Sequence, residues 1–229
     1  CIDAYVDLVG LEFTRTYFPK LFYFEGEWHY RNDGSYELGT AEGGRKIFLM
    51  GMNYLNEYKS SREALNTYYL KTIHHEFTHI LHQTVEFSTA YQFITTDYKV
   101  DKCFNREFAD FLSRGFITDY AQKNYHEDFA EMVSTYVTST ADEWEALLKK
   151  ASYAPVKDKD GNLVYDSNGL VVADTKTKAN GRDLIEQKLS IMRSYMQDQW
   201  GIDIDELRAS ILQRENDVVN GKVDLKNLD

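Results

Sequence analysis

Two prolines and 13 glycines among 229 residues are too few for a disordered, collagen-like or linker-dominated chain. Cysteine is almost missing. Cys1 and Cys103 stand alone, which excludes a disulfide framework and a four-cysteine zinc ribbon. The two could pair only if the fold brought their Cα atoms within about 7 Å. No apolar run approaches the roughly 18–20 residues needed to cross a bilayer. Basic side chains are outnumbered 26 to 37, for a net charge of −11, and they form no stripe. Phosphate neutralisation needs clustered Lys and Arg, so the balance argues against a nucleic-acid partner.

What is present suits a globular chain with a real core: 43% hydrophobic and 28% charged residues. The 17 tyrosines combine apolar area with a hydroxyl, which fits a core shell better than a wet cleft. Ile2, Val6, Val9, Phe13 and Tyr17 recur at helical spacing and predict a helix ending before Pro19. Residues 21–28 and 46–52 read as strands, with turn signals at Asn32-Asp33-Gly34 and Gly43-Gly44 between them. A long helix is expected from about Ser61 to Thr84, with Ser60 and Glu63 at capping-box spacing and Ile73, Phe77, Ile80 and Leu81 facing the core. Further helices are expected at about 104–114, stopping at Gly115, and at about 125–139 and 142–151. Asp160-Gly161 and Asn168-Gly169 give hairpin chemistry at about 155–175. The run Asp158–Asn162 resembles a calcium loop but lacks its glycine position and closing Glu, so a tight turn is expected. Two helices should close the chain, the second starting near Asp203. No repeat or linker is visible. The expectation is one α+β domain over residues 1–229, mostly helical with a small sheet and a hairpin insertion at 155–175.

The informative segment is His75-Glu76-Phe77-Thr78-His79, an H-E-x-x-H pattern inside a predicted helix. At about 100° per residue His75 and His79 project from one face a turn apart, so two imidazole nitrogens can meet one zinc ion at about 2.0–2.1 Å. Glu76 points about a quarter-turn away, where it can reach an activated water without becoming a ligand. At this composition the pattern arises by chance in about one chain in a hundred of this length. His74 and His82 flank it as packing or supporting groups.

A catalytic zinc needs a third protein ligand and an open position. The extended metzincin pattern fails, because His82 and Val85 stand where it requires Gly and His. The other route is a carboxylate from a later helix. Glu127 and Glu131 are a turn apart on one face. One can bind the metal while the other holds a ligand imidazole in its tautomer; the reading adopted is Glu127 as ligand and Glu131 behind it. Asp128 is expected to be an exposed or capping carboxylate.

With these residues the sequence resembles a known family. His75–His79 followed by Glu127-Asp128-Phe129-Ala130-Glu131 looks like the gluzincin arrangement, and the E-x-x-A-E form is similar to the catalytic domain of anthrax lethal factor. The whole chain resembles the zinc-binding metallopeptidase lipoproteins of gut Bacteroidetes, through Leu38–Ile47, Ile73–Phe77, Gly115–Tyr120, Glu127–Glu131 and Trp200–Arg208. The resemblance implies a zincin-like fold, Zn²⁺ as cofactor, a peptide or protein substrate, and an exported protein in the periplasm or at the cell surface, reaching the membrane only through a lipid tether outside the core domain. A terminal Cys could be the acylated residue of a bacterial lipoprotein, but the resemblance also implies that the start of the natural chain is missing here, which weakens that reading of Cys1. The resemblance further raises Tyr120, since lethal-factor-like enzymes place a tyrosine there that can donate to the oxyanion; a packing tyrosine is the bland alternative. Tyr125 and His126 are lesser candidates.

The expected function is a zinc-dependent peptidase with Glu76 as general base for a metal-activated water. The alternatives are a catalytically silent surface accessory or binding lipoprotein that keeps the zinc site, and a metal-free helical interaction domain. The strand around Lys46–Gly51 is a candidate edge for pairing with an extended peptide. The sequence carries no signal for peptide preference or oligomeric state.

Overall fold

A computed structural model describes residues 1–32, 36–42 and 46–223. The turns expected at Asp33-Gly34 and Gly43-Gly44 lie outside the described residues. In chain order the regular elements are α1 (Ile2–Tyr17), β1 (Leu21–Phe24), β2 (His29–Tyr30), β3 (Tyr36–Glu37), β4 (Gly39–Glu42), β5 (Lys46–Leu49), α2 (Leu55–Tyr58), α3 (Arg62–Leu65), α4 (Lys71–Thr84), α5 (Tyr125–Thr138), α6 (Ala141–Ala151), β6 (Tyr153–Pro155), β7 (Ala173–Lys178), α7 (Gly181–Trp200) and α8 (Ile204–Val219). This is the expected α+β composition, mostly helical with small sheets. None of the described helices is long and apolar enough to cross a membrane. Both cysteines are free thiols. The chain forms two compact units: Cys1–Glu86, Val133–Thr138 and Met196–Asp229 in the first, Phe87–Met132 and Ser139–Tyr195 in the second.

In the first unit a three-stranded sheet has the order β1-β5-β4, with β5 parallel to β1 and antiparallel to β4. Ile47 and Leu49 of β5 are buried and alternate with half-buried Lys46 and Phe48, the period of a strand with one face on a core. The expectation that Lys46–Gly51 offers an edge is therefore wrong. β5 is the inner strand, its main-chain groups are taken on both sides, and among the described strands the edges belong to β1 and β4. The core of this unit centres on Phe77 of α4, whose ring lies 4.4 Å from that of Phe18 and 5.0 Å, edge-on, from that of Tyr5. The first helix forms as predicted but breaks at Gly10, whose φ of 85° and ψ of 167° are open to glycine.

The long helix over 61–84 is present in three joined pieces. Ser61, not Ser60, caps it, accepting from Ala64 N at 3.2 Å. A π turn over Asn66–Leu70 then joins α3 to α4. A wider turn rotates the downstream segment relative to the upstream one. Within α4, Phe77, Ile80 and Leu81 are buried as expected and so is Thr72, whereas Ile73, expected in the core, is only half-buried. α8 starts where predicted, with Asp203 accepting from the backbone of Asp205 and Glu206.

In the second unit Phe129 of α5 is fully buried, stacked on Phe87 at 4.0 Å and edge-on to Tyr91 and Tyr195. The helix expected at 104–114 is instead two 3₁₀ turns, Arg106–Phe108 and Phe111–Arg114, ending at Gly115 with φ of 85°. Arg114 explains the change. Its guanidinium donates to Phe108 O at 3.1 Å, a carbonyl that an α-helix would need for Leu112 N, and to Asp110 Oδ1 at 3.0 Å. The hairpin chemistry gives the β6–β7 pair, with bridges at Lys157–Leu163 and Tyr165–Val171. Asp158 Oδ1 accepts from the backbone N–H groups of Asp160 and Asn162, as expected of a tight turn.

Candidate metal centre

α4 carries His75 buried, with Glu76 and His79 half-buried. The Nε2 atoms of His75 and His79 face each other at 3.0 Å, with ring planes 77° apart. Behind them, His79 Nδ1 lies 2.8 Å from His82 Nε2. His74, next in sequence, turns elsewhere. It is fully buried, with Nδ1 3.1 Å from the hydroxyl of Tyr5, and burial pushes its pKa down to about 3, so it is neutral. The four histidines of the helix thus divide as α-helical geometry requires: one faces α1, two face each other, and one supports the pair.

α5 owes its start to Asn124, whose Oδ1 accepts from the N–H groups of His126 and Glu127 at 3.0 Å each. Glu127 and Asp128 fall in the first turn, where the helix dipole favours negative charge. Just upstream, Tyr120 opens a short 3₁₀ turn with Asp119 capping its backbone N–H. Tyr120 donates its hydroxyl to Glu127 Oε1 at 3.1 Å. Burial lifts its pKa to about 12, which keeps the phenol protonated at neutral pH. Its ring stacks on Phe104 at 5.8 Å. Glu131 is buried, and its Oε2 accepts from Thr118 Oγ1 at 2.7 Å.

Asp128 corrects an expectation. It is fully buried rather than exposed or capping, and its Oδ2 meets Lys188 Nζ at 2.6 Å, with both side chains out of solvent. Lys188 also donates to Gly115 O at 2.7 Å, and Tyr98 donates to Asp128 Oδ2 at 3.3 Å. Asp128 lies about 100° round the helix from Glu127, on the buried side, and a carboxylate there needs a cation.

Residues 1–205 match a family of proteins described as "Putative zinc-binding metallo-peptidase". The chain belongs to that family. A crystal structure of a protein from Bacteroides caccae, described in the same words, is 32% identical, covers 100% of this chain with 76% of its own, and superposes with a TM-score of 0.74. No curated protein matches the chain.

The residues of this family member can be tested against the ion that the family description implies. Two nitrogens on one tetrahedral zinc, each at about 2.0–2.1 Å, lie about 3.3 Å apart. The 3.0 Å between the facing Nε2 atoms is close to that separation. With both Nε2 lone pairs turned to an ion, both ring protons sit on Nδ1, and the Nδ1–H of His79 has its acceptor ready in His82 Nε2. Paired neutral imidazole nitrogens suit zinc rather than calcium, which takes oxygen ligands. The residues fit zinc.

Sequence reasoning weighs His82 only as a flanking group and misses Thr118 and Lys123. The spacing of Lys123 and Glu127, one helical turn, is the available signal for Lys123. Nothing in the pattern points to Lys188, which sits far along the chain from Asp128.

Proposed function

We propose that the chain is a zinc-dependent peptidase of the gluzincin type, in which His75, His79 and Glu127 hold one Zn²⁺. The observation that carries the reading is the pair of facing imidazole nitrogens one helical turn apart, with a histidine behind them. Bound zinc supplies a Lewis acid that polarises a peptide carbonyl and lowers the pKa of water towards about 7. Glu76 takes the proton of the attacking water on its carboxylate and passes it to the amine nitrogen that leaves. Tyr120, protonated at neutral pH, donates to the carbonyl oxygen as it becomes negative. Glu131, anchored through Oε2 by Thr118, orients a ligand imidazole.

The test is metal content combined with a peptide-library digest of the wild type and Glu76→Gln. Both proteins should hold about one zinc per chain, since Glu76 is not a ligand. Cleavage should fall by about 10²–10⁴-fold in the variant. Equal cleavage by both, or cleavage that persists after proven metal loss, rejects the mechanism. Stoichiometric zinc with no cleavage by either leaves a binding protein.

A further inference from the structure

Glu127 is not held by its own helix alone. Three polar atoms close a triangle on one of its oxygens. Tyr120 donates its hydroxyl to Glu127 Oε1 at 3.1 Å, Lys123 Nζ donates to the same oxygen at 3.0 Å, and Lys123 Nζ donates to the Tyr120 oxygen at 2.9 Å. The ammonium also lies over the Tyr120 ring, 4.9 Å from its centre. The Glu127 side chain is 14% exposed and that of Lys123 38%. The carboxylate is thus largely shielded, while the lysine reaches it from the rim.

A carboxylate oxygen has about two lone-pair sites. Two donors at hydrogen-bond distance use both on Oε1. We infer that Lys123 is a positioning residue: with Tyr120 it occupies Glu127 Oε1, so that Glu127 presents only Oε2 to a metal and binds it through one oxygen. This rests on the reading of Glu127 as a zinc ligand.

The arrangement has a second consequence. Lys123 donates to the Tyr120 oxygen, so the phenolic proton points away from the ammonium, towards Glu127 or towards another acceptor near it. When that proton turns to a substrate oxygen, Oε1 keeps the bond from Lys123. The carboxylate is never left with an emptied oxygen that could close on the metal and fill the open position. A surface ion pair between these residues would be worth little for stability. Its value lies in orientation, as is usual for groups behind a metal ligand.

Cobalt(II) substitution reads coordination number without turnover, because four-coordinate Co²⁺ absorbs more strongly in its d–d bands than five-coordinate Co²⁺. The informative pair is Tyr120→Phe against Tyr120→Phe/Lys123→Met, since the two differ only in the ammonium. Loss of Lys123 in that background should lower the d–d intensity by about twofold or more as Oε1 joins the metal. Lys123→Arg in the same background should restore it, because the guanidinium keeps a charged donor. Lys123→Leu replaces Lys123→Met should the latter fail to fold. Superimposable spectra for Tyr120→Phe with and without Lys123 overturn the inference, as does an arginine variant that matches the methionine one. A wild-type protein that takes up no Co²⁺ overturns the metal centre itself, so the two failures are told apart.

Discussion

Replacing Lys188 by Met should expose what the buried ion pair in the second unit costs. Lys188 and Asp128 have no solvent exposure, and their charged atoms are 2.6 Å apart. Burial nevertheless pushes the Asp128 carboxyl up to about 6, with the ammonium pulling it back only in part, and burial pushes the Lys188 ammonium below its usual value. Both directions say that desolvation exceeds the mutual attraction. In such pairs, removing one partner costs about 3–5 kcal/mol, while replacing both by apolar groups is close to neutral. At about 2–4 °C per kcal/mol for a chain of this size, Lys188→Met should lower Tm by roughly 6–20 °C. The loss should also depend on pH. A carboxyl whose folded-state pKa lies above its unfolded value of about 3.9 binds its proton preferentially in the folded state, so stability falls as pH rises through that interval, by about 1.4 kcal/mol per unit. Without the ammonium the folded-state value rises further above about 6 and the interval widens. The variant should therefore lose more, relative to the wild type, at about pH 8 than at about pH 5. The double variant Asp128→Leu/Lys188→Met should regain most of the loss and lack the part of the pH dependence that the Asp128 carboxyl contributes. Thermal melts of chelator-treated protein at the two pH values decide the matter. An equal loss at both, or a double variant no better than the single, refutes the reasoning.

Three further substitutions probe the metal centre, a tight turn and a helix cap. His82→Ala removes the partner of His79 Nδ1 and should weaken zinc binding by about 10–100-fold in a chelator competition, leaving far-ultraviolet circular dichroism unchanged. Gly51→Ala forces a side chain onto a residue at φ of 70° and drives its Cβ into the ring of Trp28; a loss of about 1–3 kcal/mol in denaturant melts is expected. Asp203→Ala removes the cap of α8 and should cost about 1 kcal/mol, measured the same way, with Asp203→Asn nearly neutral.

Local rules explain what is legible in the sequence. α5, α6 and α8 begin at Asn124, Thr140 and Asp203, residue types whose side chains satisfy a helix's first N–H groups, and the His75–His79 spacing declares its own geometry. The features that escape are decided by contacts between distant positions. The 3₁₀ turns near Gly115 exist because Arg114 takes a carbonyl away from the helical ladder, and no periodicity reports that competition. β5 lies inside its sheet because β1, from well upstream, pairs beside it. Asp128 reads as a surface carboxylate because its cation, Lys188, arrives on another helix. At the candidate centre the first two proposed ligands and the proposed base are legible from one motif. The neighbours proposed to orient the centre, His82, Thr118 and Lys123, have to be read from distances.

The π turn over Asn66–Leu70 acts as a phase setter for everything downstream on its helix. It holds one residue more than an ordinary turn would need, and one residue is worth about 100° of azimuth. Delete a single residue there and the segment from Lys71 to Thr84 would still coil, with the same sequence and the same internal spacing, yet its imidazoles would leave on a different bearing from the packed side of Leu65 and Tyr69. The motif supplies the imidazoles; that one loosened turn aims them.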